Sequence, residues 1–124
     1  MEDVIGTSQI MTKIVMAIGA ERGKLFELGR AKAETEAMYK KFVAITMVKL
    51  LRGDTLGLDN VEVKCTSQTN LKSFAEGLCH KELAAKLVAE NEYKSCIVNL
   101  ECLRANLNAN QSIFRHLDIG GETG

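Results

Sequence analysis

The chain has no proline and no tryptophan, and only two Tyr and four Phe among its 124 residues. Average usage would place about six prolines in this length, so helices can run unbroken for many turns. So few aromatic rings leave little material for base-stacking platforms or a large aromatic core. Net charge is missing too: sixteen basic residues balance sixteen acidic ones, which gives no general support for a nucleic-acid or anionic-membrane surface. Long apolar runs are also lacking. The stretch from Ile10 to Ala20 is broken by Lys13, and Met1-Glu2-Asp3 is acidic. Neither a secretory signal nor a membrane span is expected, and the cytosol is the expected location.

Cysteine is sparse, at Cys65, Cys79, Cys96 and Cys102. Cys96 and Cys102, six apart, fall on different faces of a helix and cannot bond within it. Reduced thiols are expected. The charge balance is uneven along the chain: nine basic residues against six acidic in 1–53, then seven against ten in 54–124. Halves of opposite sign attract weakly if they fold against each other.

What is present is periodicity. Tyr93, Cys96, Leu100, Leu103, Leu107, Asn110, Phe114 and Leu117 recur in strict 3,4 alternation, the seam of a coiled coil. Such a seam needs a partner helix. One candidate spans about 12–51, rich in Ala, Glu, Lys, Leu and Met, with Thr7 or Ser8 as cap and Gly53 as stop. Leu25, Leu28, Thr35, Met38, Phe42 and Ile45 form its stripe, widened by Tyr39, Val43, Thr46 and Leu50. Gly19 and Gly23, four apart, either admit another helix closely or mark a weak segment near a terminus.

Periodicity fails between Asp54 and Leu78. Val61, Val63 and Cys65 alternate with polar residues, leaving room for one short strand, and Thr69 or Asn70 can cap a brief helix ended by Gly77. The second long helix should run from about 80 to 117, stopped by Asp118 to Gly121 and followed by a flexible tail over 119–124. The expected fold class is therefore all-α: one domain, a long antiparallel helical hairpin resembling a coiled coil, with an irregular cap segment at its tip. Folding back about residues 52–79 would set Tyr93 opposite Met38, Leu103 opposite Leu28, Leu107 opposite Leu25 and Asn110 opposite Glu21. A buried Asn110–Glu21 pair would fix the register.

Catalysis has little to stand on. His80 and His116 lie at opposite ends of one predicted helix, about 54 Å apart along it. Cys65, Cys79 and His80 lack a paired C-x-x-C knuckle. Glu34, Glu36, Glu90 and Glu92 lack the Glu-x-x-His pattern of bundle di-metal proteins. Residues Gly19 to Lys24 end in Gly-Lys without the following Ser/Thr of a phosphate loop. No catalytic residue, metal or other cofactor is expected, and an enzyme ranks last. Lys40, Lys41, Lys49 and Arg52 form a basic group near the tip, a solvated face first and a phosphate-contacting patch second.

Residues 32–41 (KAETEAMYKK), 89–94 (AENEYK) and 103–118 (LRANLNANQSIFRHLD) together resemble a group of small helical proteins of tailed bacteriophages and prophages. The likeness covers most of residues 20–118. The four cysteines and the segment from Val61 to Asn70 depart from that pattern. The resemblance implies a viral accessory role inside the bacterial cytoplasm, among early, replication or recombination functions, and carries no active site. The leading expectation is a non-enzymatic interaction protein that forms homo-oligomers and engages a protein of phage DNA metabolism. Ile97 and Ile113 beside the seam, and Leu83 and Leu87 toward the tip, supply apolar surface for this. The alternatives are a nucleic-acid-binding accessory using the basic tip, and an inhibitor of a host defence complex.

Overall fold

A computed structural model describes residues 4–65 and 67–123, with side chains described as far as Leu117. The element order is α1 (Val4–Leu51), β1 (Leu56–Leu58), β2 (Val61–Val63), a 3-10 turn (Gln68–Asn70), α2 (Leu71–Leu78) and α3 (His80–Thr123). The class is all-α, with α1 and α3 as an antiparallel helical hairpin and the small elements between them as its cap. The length suggests one domain; the chain packs as two compact units, Met1–Leu28 with Tyr93–Gly124, and Gly29–Glu92. Each unit contains part of α1 and part of α3.

The first unit pairs the beginning of α1 with the later part of α3. Thr7, Met11, Ile14, Ile18, Glu21, Leu25 and Leu28 turn inward in 4,3 steps, the spacing that keeps one face of a helix toward a neighbour. Helix α1 begins at Val4, ahead of the expected start near Thr12, because Thr7 lies inside the first turns and is buried as a seam residue. On α3, Cys96 and Leu100 are buried. At the other end α3 continues to Thr123, past the expected stop at Asp118 to Gly121. With no proline in the way, Gly120 and Gly121 can keep helical dihedrals. Gly124 and the side chains of residues 118–123 lie outside the description.

In the second unit the core is Val43 and Leu50 from α1, Leu71 and Ala75 from α2, and Cys79, ringed by Tyr39, Met47, Leu56, Cys65 and Leu78. Ala75 has no exposed surface and Leu50 only 2%. Spacing of four along α2 places Leu71, Ala75 and Cys79 on one face. Helix α1 ends at Leu51, where Gly53 takes φ +87°. The Gly53 N–H donates to the Leu50 carbonyl (3.0 Å) and Asp54 N–H to that of Lys49 (3.1 Å). That is the Schellman closure, for which glycine is the cheapest residue.

Three expectations for this unit are corrected. Tyr39, Val43, Thr46 and Leu50 face inward while Met38, Phe42 and Ile45 are exposed. From Lys32 the inward positions step 3,4,4 through Thr35, Tyr39 and Val43, the longer spacing that unwinds a left-handed supercoil locally and moves the stripe by one residue. The single expected strand is half of a hairpin, with Leu56 paired to Val63 and Leu58 to Val61. Its turn residues, Asp59 and Asn60, both have positive φ, as a type I′ turn requires. Gly77 lies within α2 and does not end it; the end comes at Cys79, whose N–H reaches the Ala75 and Glu76 carbonyls.

Candidate functional site

Over residues 93–117 the positions of α3 that turn away from solvent are Tyr93, Cys96, Ile97, Leu100, Leu103, Leu107, Asn110, Phe114 and Leu117. Eight of these carry the 3,4 spacing, and Ile97 widens the face beside Cys96. The seam is thus occupied within the chain, by α1.

Its register differs from the expected one. Glu21 lies with Cys96, Asn99 and Leu103, one to two heptads before Asn110 in the sequence. Asn110 donates its side-chain amide to the Asn106 carbonyl (2.9 Å) on its own helix, so the Asn110–Glu21 pair does not form. A heptad stripe looks the same after a slide of seven residues, so periodicity defines which face is used but not which turn meets which.

The polar point of this seam is Glu21. The Cys96 thiol donates to a Glu21 carboxylate oxygen (3.3 Å) and reaches the Glu21 carbonyl (3.4 Å). Lys24 closes on the other carboxylate oxygen at 3.4 Å. Hydrogen bonding from Cys96, with further help from Lys24 and Asn99, holds the Glu21 carboxyl below its ordinary range. Burial, then the Glu21 carboxylate, pushes the Cys96 thiol up. A thiol held protonated in this way is a hydrogen-bond donor and a poor nucleophile.

The pH dependence follows from these signs. A lowered carboxyl adds stability that is present above its unfolded pKa and lost as pH falls through the folded one. A raised thiol adds stability that is present below its unfolded pKa and lost as pH rises through the folded one. Between the unfolded values, about pH 4.3 and 8.5, both contributions are intact. Melting temperature against pH should fall at each end. Glu21→Gln should flatten the acid limb, and Cys96→Ser, which keeps a donor without a titrating thiol, the alkaline limb.

Beside Glu21 lies an open groove of about 390 Å³ lined by Ala17, Ala20, Glu21, Asn99, Cys102 and Leu103. In the second unit a smaller groove of about 280 Å³ is lined by Tyr39, Lys40, Val43, Ala44, Met47, Lys72 and Glu76. Here Thr46 Oγ1 and Cys79 Sγ are 3.4 Å apart, and the Lys86 ammonium lies 5.7 Å from the Tyr39 ring centroid. Burial, with the nearby charges of Glu76 and Cys79, raises the Tyr39 hydroxyl. Leu83 is half-buried and Leu87 exposed.

Lys40, Lys41, Lys49 and Arg52 are all exposed. Two already have anionic neighbours: Lys40 lies 3.6 Å from Glu36, and Arg52 lies 2.7 Å from Asp54. Among the described residues, no three His, Cys, Asp or Glu side chains gather as a metal-binding group. The four thiols are free, Cys79 and Cys96 buried, Cys65 half-buried and Cys102 exposed. None of the described helices is long and apolar enough to cross a membrane.

Fold and seam together define an all-α helical-hairpin protein with a polar thiol–carboxylate contact in its first unit. No protein-family model, curated protein or solved structure matches the chain.

Proposed function

We propose that the chain is a non-enzymatic accessory protein that acts by protein–protein contact and self-association, in the DNA metabolism of a tailed phage or prophage. The supporting observation is apolar surface left uncovered after the seam is closed. Residues 4–20 of α1 contain one charge, Lys13. Besides the inward row, this segment exposes Val4, Ile5, Ile10, Val15 and Met16. Ser8, Gln9, Thr12 and Lys13 share the outward side, but large apolar residues are not what a solvated helix face collects, and large exposed patches mark binding surfaces. The viral setting rests on the sequence resemblance alone.

Sedimentation of the purified chain, alone and with single-stranded or duplex DNA at low salt, tests the reading. The expected mass is a multiple of 13.6 kDa, unchanged by DNA. A single-chain mass at every concentration would remove self-association. A salt-sensitive shift with DNA, lost in Lys41→Ala with Lys49→Ala, would transfer the role to the basic group.

A further inference from the structure

We propose that the groove beside Glu21 binds a small primary ammonium ion on an apolar stem, with the Glu21 carboxylate as its anchor. The site lies within the first unit; it goes beyond the interaction reading and does not depend on it.

Among the described residues that line the groove, with Ala17, Ala20, Asn99, Cys102 and Leu103, Glu21 is the one charged side chain. It is only 17% exposed, yet its carboxyl is held below the ordinary range and so is ionised at neutral pH. A carboxylate set this deep calls for strong donors. Those present are weak or long. Cys96 supplies a thiol, a weak donor, at 3.3 Å, and the Lys24 ammonium stands at 3.4 Å, beyond the roughly 2.7–2.9 Å of a well-formed charge-assisted bond. Lys24 is also 67% exposed, so its pairing contributes little and is readily exchanged. The negative charge is therefore fixed in the wall of the groove, while its counter-charge is mobile in solvent.

The remaining lining residues select the ligand. Asn99, whose amide donates to Glu21, also carries a carboxamide oxygen, a second acceptor for an N–H. Two neighbouring acceptors suit a primary ammonium with its three donors. A quaternary ammonium has none and is ordinarily held by aromatic rings, and none of the described lining residues is aromatic. Ala17, Ala20 and Leu103 supply apolar walls for the stem, and a volume of about 390 Å³ falls within the range of small-molecule sites, roughly 300–1,000 Å³. Lys13 and Lys24, four residues before Ala17 and after Ala20, are exposed. An anionic ligand would need both of them and would still meet Glu21.

The test uses the full chain and phenethylammonium chloride, with titration calorimetry and ligand-observed NMR. Wild type should bind one equivalent, saturably, in the millimolar range. Both 2-phenylethanol, which keeps the ring without the charge, and 3-phenylpropionate, which reverses the charge, should bind about 10-fold more weakly or less. Glu21→Gln keeps an acceptor for Cys96, and Ala20→Leu fills the groove from an exposed position. Each should weaken binding about 10-fold with circular dichroism unchanged. Lys24→Met removes the competing cation and should strengthen binding about threefold, which a purely structural Lys24–Glu21 pair would not do. Bound ligand should slow maleimide labelling of Cys102 and leave that of Cys65, in the second unit, unchanged. Failure to saturate, or equal binding of 3-phenylpropionate, overturns the proposal. Binding unaffected by Glu21→Gln and Ala20→Leu places the ligand elsewhere and overturns it too, as does weaker binding in Lys24→Met. Self-association is read from mass and stands or falls separately.

Discussion

Leu50→Ala should destabilise the second unit by about 2–5 kcal/mol, the range for truncating a buried leucine when the surroundings cannot collapse into the space. Leu50 is 2% exposed and packs in the cluster with Val43, Leu71, Ala75 and Cys79. Its neighbours are poorly placed to move in. Ala75 is already covered and short, and the Gly53 closure fixes the end of α1 just beyond. A domain has a net stability of only about 5–15 kcal/mol, so this one side chain carries a large share. Urea denaturation followed by circular dichroism gives the loss as a lower midpoint at unchanged slope. Leu51→Ala is the control: Leu51 is exposed, and its truncation should change stability by less than about 0.5 kcal/mol. Equal effects at the two positions would refute the inward assignment of Leu50.

Ala33→Pro should cost about 3 kcal/mol or more, whereas Ala33→Gly should cost about 1 kcal/mol. Ala33 is exposed within α1, so neither change disturbs packing and the difference between them isolates the backbone. Proline removes the N–H that bonds to the carbonyl of Gly29 and drives its ring against that carbonyl. Glycine keeps the bond and adds only chain entropy. The measurement is again urea denaturation, with helical ellipticity falling in the proline variant. A proline variant as stable as the glycine one would mean that α1 is already interrupted near residue 33.

Much of this architecture could be read from residue order, and the failures have physical causes. The seam from Tyr93 to Leu117 stands out because one spacing persists over seven steps, and those positions are the ones the structure turns inward. Gly53 is readable because a left-handed residue after a helix is a glycine problem. The pairing of α1 with α3 was not readable. A repeating stripe is degenerate to whole-heptad slides, and only the local contacts of Glu21 with Cys96 and Asn99 resolve it. Nothing in the residue types marks Cys96 as the donor to Glu21, because a cysteine in an apolar row reads as a small hydrophobe. The step at Thr35, Tyr39 and Val43 is masked by Met38, Phe42 and Ile45, which form the more hydrophobic set yet are exposed. Strand β1 is too short to show a period of its own, and the signal for it is Leu56 and Leu58 alternating just before Asp59-Asn60, a turn pair with left-handed tendency.

The buried thiols have one more consequence. Cys79 lies in the core of one unit and Cys96 in the seam of the other. An alkylating reagent reaches either sulfur only when the backbone around it opens, so each half of the chain carries its own clock. Two trapping rates, followed separately on two peptides, would give two local opening free energies without any probe being introduced.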